Sequence, residues 1–216
     1  MQTFTDYSLL HHNSFGLDVK ARKFVEYENI HELQHFLFTH DCSEPLLHIG
    51  GGNNLLFTKD FEGTVLHSAI KGFEEIGRDG HDVHIRLGAA MTWDRVIEST
   101  LRRGYFGLEN LSSIPSEVGA AVVQNIGAYG AEIKDFVESV EAVSLTTGEV
   151  HEFSNEDCGF AYRHSNFKGP WRGQYAVTHV TLKLSLDFKP NLSYHTLADH
   201  ASGKINATDL REMIIE

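Results

Sequence analysis

Ile114-Pro115-Ser116-Glu117-Val118-Gly119-Ala120-Ala121-Val122-Val123-Gln124-Asn125-Ile126-Gly127-Ala128-Tyr129-Gly130 decides how this chain is read. It holds one charge, Glu117, among the small residues Gly119, Ala120, Ala121, Gly127, Ala128 and Gly130. Glycine lets a backbone approach another surface closely and take positive φ. Gln124 and Asn125 each donate and accept hydrogen bonds. Such a run suits a flat ligand, polar at its edges and held mostly by backbone. By itself it reads equally as a tight loop packed in the core. Pro115-Ser116 could open a short helix whose N-terminus attracts anions, and Glu117 beside it works against that.

A second stretch shifts the balance toward a ligand. Leu46-Leu47-His48-Ile49 reads as a buried strand, followed by Gly50-Gly51-Gly52-Asn53-Asn54 and the apolar Leu55-Leu56-Phe57. Three glycines and two asparagines between strand-like runs make a turn rich in free N–H groups, the composition of an anion-binding nest. It is not a dinucleotide G-x-G-x-x-G, because the continuation reads as strand, not helix. The expected unit is strand–loop–strand.

Two further segments, Gly107-Leu108-Glu109-Asn110-Leu111 and Gly159-Phe160-Ala161-Tyr162-Arg163-His164-Ser165-Asn166-Phe167-Lys168, complete an ordered set of four. Together the four resemble UDP-N-acetylenolpyruvoylglucosamine reductases of the longer class, flavoenzymes of cell-wall precursor synthesis. The resemblance implies an α+β, two-subdomain FAD-binding fold of the vanillyl-alcohol-oxidase/CO-dehydrogenase-flavoprotein type. Subdomain 1 would take residues 1–69 and subdomain 2 residues 70–216, with the C-terminal substrate domain absent. It further implies FAD as cofactor, NADPH as co-substrate, a UDP-sugar as substrate and a cytoplasmic setting.

The site residues follow from that resemblance, position by position. Gly50, Gly51, Gly52, Asn53, Asn54 and Leu55 would hold the pyrophosphate, Asn53 standing where the family usually has serine. Ile114, Pro115, Ser116, Gly119, Ala120, Gln124, Asn125, Ile126, Gly127, Tyr129 and Gly130 would face the flavin and the far side of the phosphates. Ser116 replaces a glycine, which implies a negative or mildly strained φ there. Val122 replaces a proline found in some relatives. Arg163 would be the catalytic cation, facing the enolpyruvyl carboxylate, with Tyr162 beside it. Tyr194, in Asn191-Leu192-Ser193-Tyr194, would fold over substrate. The family's proton-donating serine and its partner glutamate have no match and are expected beyond Glu216.

Composition bounds the alternatives. The 216 residues carry a formal net charge of −12, which argues against nucleic acid as a partner. No run of about 18 apolar residues suggests a membrane span. Met1 to Leu10 lacks the basic flank and apolar core of a secretory signal. Cys42 and Cys158, far apart and outside any C-x-x-C pair, read as reduced thiols rather than zinc ligands. Fourteen histidines show no metal-binding spacing, so no metal is expected. No Ser-His-Asp or Cys-His arrangement supports hydrolysis. Two rivals stay open: another flavin oxidase of the same fold, and a non-catalytic flavin-binding module.

Along the chain the pattern predicts a strand over Lys23 to Tyr27 and a helix capped by Asn29 with Glu32 in a capping box. Leu46 to Ile49, Leu55 to Phe57 and Thr64 to His67 would complete a βαβ-type unit. Ile70 to Gly80 reads as turn-rich. Asp82 to Leu87 alternates as a strand, Thr92 caps a helix, and Gly104 ends it. Val137 to Leu145 and Val150 to Phe153 form a hairpin, and Tyr175 to Leu184 a further strand. Thr208 caps a last helix, which shows no stop signal and reads as cut short. The whole reading requires both bends to border one hollow, with a guanidinium beside it.

Overall fold

The described residues form two main sheets and a two-stranded ribbon of β7 (Gly127–Ala128) and β8 (Ala131–Glu132). A computed structural model describes residues 1–194, 197 and 205–216. The N-terminal sheet runs in the order β1 (Gln2–Ser8), β2 (Lys20–Tyr27), β4 (Phe61–Ser68), β3 (Leu46–Ile49). β1 is antiparallel to β2, whereas β2 and β3 both run parallel to β4. The crossover is α1 (Ile30–Thr39), so β2, α1 and β3 form the expected βαβ unit. The larger sheet runs in the order β10 (Val150–Ser154), β9 (Val137–Ser144), β11 (Tyr175–Ser185), β6 (Asp82–Gly88), β5 (Phe73–Asp79), antiparallel throughout.

The larger core lies between that sheet and two helices. In β6, Val83, Ile85 and Leu87 are fully buried, as the alternation requires. Facing them, α2 (Trp93–Arg103) buries Trp93, Val96, Ile97 and Thr100 on one side. The short α3 (Val118–Gln124) buries Val118, Gly119, Ala121 and Val122. Gly119 is required by contact: a Cβ there would sit 2.9 Å from the Cβ of Ala89. A second cluster ties the sheets together, joining Val25, Tyr27, Leu33, Phe36 and Leu66 to Val143 and Ala176 of β9 and β11. The two sheets therefore share apolar contacts beside the loops that will matter.

Several expectations change. Ile70 to Gly80 is not a turn-rich passage, because Phe73–Asp79 forms edge strand β5, highly exposed and so without an apolar alternation to reveal it. Residues 55–57 are not a strand; the chain stays irregular until Phe61, so the glycine loop is a long bend and not a tight strand–loop–strand turn. β1 went unread for the same reason as β5: five of its seven residues are exposed. Asn29 caps α1 through the Glu32 amide, but the Glu32 carboxylate reaches Glu28 N–H rather than closing a box. Thr92 stands at the N-cap of α2 without a side-chain cap bond, and Gly104 ends that helix in the left-handed region as expected. The last helix, α4 (Ala207–Ile215), is capped by Asn206, not Thr208, in a capping box with Asp209. Among the described residues no helix is long and apolar enough to cross a membrane.

Candidate functional site

The bend after β3 and the loop entering α3 line a single cavity of about 370 Å³ between the two sheets. Gly50, Gly51, Gly52, Asn53, Asn54 and Leu55 form one wall. Ile114, Pro115, Ser116, Gly119, Ala120, Gln124 and Ile126 form the other. A direct hydrogen bond joins the walls, from Asn54 Nδ2 to Gln124 Oε1 at 2.8 Å. The two bends therefore border one hollow. Its size falls within the usual range for a small-molecule or cofactor pocket.

Backbone conformation explains the first wall. Gly52 has φ of +70°, and a Cβ there would lie 1.8 Å from the carbonyl oxygen of His12. Only glycine fits. Asn53 is held from outside by Ser14 Oγ, 2.6 Å from its Oδ1. The Leu55 amide closes back on Gly52 O, but among the described residues the amides of Gly50 through Asn54 donate to no protein acceptor. Several uncommitted N–H groups thus line a concave surface, the arrangement that suits a phosphate.

The second wall is held by its surroundings. Val118 N–H and Gly119 N–H donate to Met91 O and Ala89 O, and Ser116 O accepts from Trp93 N–H. These bonds pin the loop to the start of α2. Asp94 adds a further anchor by accepting the Ser113 amide at 2.7 Å, where Ser113 holds φ of +62°. Ser116 is not among the positive-φ residues, as its side chain implied; the left-handed turn falls on Ser113 instead. The helix begins at Val118, and Glu117 occupies its N-cap without a side-chain cap bond. Its carboxylate turns toward Gly50, Gly51 and His67.

Arg163 stands at the cavity mouth. It sits in a two-residue turn closed by Ala161 and His164, which exchange both backbone hydrogen bonds. Its own φ is +52°. Asn125 Nδ2 donates to Ala161 O at 2.8 Å, and Ser165 Oγ donates to Val123 O at 2.7 Å, fastening the turn to α3. Among the described residues Arg163 makes no ion pair; the Tyr162 ring lies 5.8 Å from its guanidinium. The Arg163 cation is thus presented, not neutralised.

A neighbouring cleft carries the remaining expected residues. Gly127, Tyr129, Gly130, Tyr162, Arg163 and Tyr194 line it, so Arg163 borders both spaces. Tyr129 and Tyr194 meet edge to face with centroids 5.4 Å apart. The segment reaching Tyr194 is held by Asn110, whose Nδ2 donates to both Tyr129 O and Asn191 O. This gives the Gly107-Leu108-Glu109-Asn110-Leu111 motif a role. Glu109 is buried and accepts the Gly107 amide, and burial holds its carboxyl above the ordinary range. Asn125 lies outside the cavity lining, since its amide is engaged with Ala161 O and the Lys134 amide.

The expected site set does not include His48, Ile49, Ser68, Ala89, Val123, Tyr175 and Val177, nor Glu117, which enters only as a charge opposing an anion; all of these also line the cavity. Tyr175 and Val177 come from β11, distant in sequence, and nothing local marks them. His48 could have been noticed as a polar residue inside a four-residue apolar strand.

Comparison with known proteins identifies the family and the fold. Residues 22–154 match the family model described as FAD binding domain. The UDP-N-acetylenolpyruvoylglucosamine reductase of Bacteroides fragilis is 46% identical over 191 residues, covering 88% of this chain and 57% of the relative. That of Flavobacterium johnsoniae is 38% identical over 215 residues, covering 99% of this chain and 64% of the relative. The chain thus spans under two thirds of the length of these relatives. Among solved structures, the UDP-N-acetylenolpyruvylglucosamine reductase of Thermus caldophilus superposes with a TM-score of 0.72 at 24% identity, covering 99% of this chain and 67% of that one. A Physcomitrella patens BBE-like protein superposes with a TM-score of 0.62 at 14% identity, covering 85% of this chain and 42% of that one. The fold is therefore the α+β flavin-binding fold expected from the sequence. With the family model spanning more than half of its residues, the chain belongs to the FAD binding domain family, and within it resembles the UDP-N-acetylenolpyruvoylglucosamine reductases.

Proposed function

We propose that this chain is the flavin-binding part of a reductase that uses NADPH to reduce the enolpyruvyl group of a UDP-sugar in the cytoplasm. The single observation that carries the reading is the convergence of the amide-presenting Gly50 to Asn54 bend and the loop entering α3 on one cavity that Arg163 also lines. The donor set fits FAD: uncommitted amides at Gly50 to Asn54 suit the pyrophosphate, and the apolar Ile114, Ile126 and Val177 suit a flat ring. FAD, when bound, would supply hydride transfer from NADPH to the enolpyruvyl carbon.

The protein's share is to bind, orient and polarise. Arg163 would pair with the substrate carboxylate and stabilise the negative charge that develops on the conjugated carbon. Among the described residues its guanidinium, beside the Tyr162 ring in a closed turn, makes no ion pair that must break first, which suits that role. Tyr129, Tyr162 and Tyr194 would wall the adjoining cleft around the substrate.

The test is spectroscopic. The purified 216-residue chain, titrated with FAD, should perturb the visible flavin spectrum and quench its fluorescence. NADPH should bleach the bound flavin, and the enolpyruvyl UDP-sugar should restore colour under anaerobic conditions only slowly, because the family's proton donor has no match among these 216 residues. No spectral change with FAD up to millimolar concentration would overturn the reading. Bleaching that a secondary alcohol reproduces, while the UDP-sugar has no effect, would favour an oxidase of the same fold.

A further inference from the structure

The cavity wall contains an anion where an anion is expected to bind. Glu117 lines the hollow beside Gly50 and Gly51, and a Cβ on Gly50 would lie 3.0 Å from its Oε2. The two glycines therefore leave room for this carboxylate beneath the bend. Among the described residues no lysine or arginine pairs with it. Its partner is His67, whose Nε2 lies 3.6 Å from Glu117 Oε1. The other ring nitrogen, Nδ1, lies 3.0 Å from Glu26 Oε2. His67 and Glu26 face each other across the parallel β2–β4 pair, so the chain Glu26, His67, Glu117 runs from the first sheet to the entrance of α3.

We propose that His67 is a positioning residue that, in its protonated form, clasps the first sheet to the α3 wall of the cavity, so that affinity for a diphosphate-bearing nucleotide falls as it loses its proton. The inference rests on reading the cavity as the FAD site. With an imidazolium between them, two carboxylates leave the cluster one negative charge. With neutral imidazole they leave two, one of them at the diphosphate wall, and the tie to the α3 wall weakens. Like charge in a partly buried site disfavours a bound anion.

The neighbours leave His67 as the group that titrates. His12 packs edge-on at 5.0 Å between ring centroids, and burial followed by the nearness of His67 holds its pKa low. His48 on β3 is pushed down to about 4 by burial, then by His67, and stays neutral. Tyr27 is buried, bonds His48 through its hydroxyl, and has its pKa raised, so it too stays neutral. Phe24 stacks on the remaining face of His67. Burial alone would lower His67, but the Glu117 and Glu26 carboxylates outweigh it and raise its pKa above the ordinary value. The sign follows from that direction. The clasp's contribution is complete below about pH 6.5, the ordinary histidine value, and is lost as pH rises through the raised pKa. Binding of an anion must then draw a proton onto the protein.

The experiment measures the affinity of the whole chain for FAD, and for ADP as a redox-inert probe, by titration calorimetry between pH 6 and 8.5. Using two buffers of different ionisation enthalpy at each pH reports proton exchange. Affinity for both probes should fall about three- to tenfold across the range, with net proton uptake in its upper half. Glu117→Gln, which keeps the shape and removes the charge, should flatten the profile and abolish the uptake. A profile in Glu117→Gln as steep as in the unsubstituted chain, or binding without proton uptake, would overturn the clasp. A ligand-free arm stands apart from the cofactor reading: the His67 ring proton should titrate above pH 6.5 by NMR and move down in Glu117→Gln and in Glu26→Gln. Titration at or below pH 6.5 in the unsubstituted chain would overturn the clasp alone. Failure of both probes to bind at any pH would overturn the clasp and the cofactor reading together.

Discussion

The two walls of the cavity reach similar shapes by opposite means. The Gly50 to Asn54 wall is defined by what it lacks: no Cβ at its tightest point and, among the described residues, no protein acceptors for its amides. The Ile114 to Gln124 wall is defined by what holds it, with Trp93, Met91, Ala89 and Asp94 each bonded to it. One wall should therefore fail at a single atom, while the other should fail gradually. Substitutions can break that contrast.

The largest effect is expected at Gly52. Any Cβ there meets the His12 carbonyl at 1.8 Å, and the residue also holds positive φ. Gly52→Ala should cost about 2–4 kcal/mol and abolish FAD binding, read from urea unfolding and flavin fluorescence. Near-normal binding would show that this wall is more compliant than the clash allows.

The other wall is probed through Asp94. Its carboxylate accepts from the two terminal guanidinium nitrogens of Arg211, at 2.7 and 2.8 Å, and from the Ser113 amide. Arg211 is itself buried. Among the described residues, Asp94→Ala leaves this buried cation with only a long contact to Glu98, at 3.4 Å. A loss of about 2–3 kcal/mol is expected, tempered by the one-third exposure of Asp94. FAD affinity should drop severalfold and not vanish, because the bonds to Met91, Ala89 and Trp93 remain. Complete loss of binding would show that the second wall is no more redundant than the first.

How much of this was legible in the letters differs between the walls for the same physical reason. Gly50-Gly51-Gly52 and Asn53-Asn54 announce a bend because their function lies in backbone freedom, which composition reports directly. The braces of the second wall are long-range bonds, such as Asp94 to Ser113 and Met91 to Val118, and no local pattern encodes them. The helix beginning at Val118 was read one turn early because Pro115-Ser116 is a good start signal, yet Ser116 O is spent on Trp93. Buried strands such as β6 showed their alternation, while the exposed edges β1 and β5 had none to show. Cavity-lining Tyr175 and Val177 arrive through β11 pairing, which only the assembled sheet reveals.

A third substitution separates the cavity from the cleft beside it. Arg163 borders both but braces neither, since its turn is closed by Ala161 and His164 and tied down by Asn125 and Ser165. Arg163→Met should leave thermal stability within about 0.5 kcal/mol. FAD affinity should change less than about threefold, while the enolpyruvyl UDP-sugar binds at least about tenfold more weakly, as expected for a lost charge-assisted pair. An equal loss of both ligands would place Arg163 on the cofactor side of the boundary.

The smallest effect is the most informative about how the walls cooperate. Asn54 and Gln124 form the side-chain hydrogen bond that crosses the cavity rim, and it is exposed to solvent. Water can replace it, so Asn54→Ala should cost no more than about 0.5–1 kcal/mol of stability. Its effect on ligand binding need not be so small, because the bond fixes the distance between walls that must grip one molecule. If the walls are set independently, Asn54→Ala and Gln124→Ala should each change FAD affinity less than about twofold, with additive effects. If the bond sets their spacing, each single change should weaken FAD about three- to fivefold, and the double change should be no worse than either alone. The opposite constructions of the two walls favour the second outcome: among the described residues the glycine bend is closed by one long bond, Leu55 N–H to Gly52 O, and held from outside at Asn53 by Ser14, so the more heavily braced wall sets its spacing. Additive losses in the double-mutant cycle would show that Gly52 and its contact with His12 hold the bend in place without help.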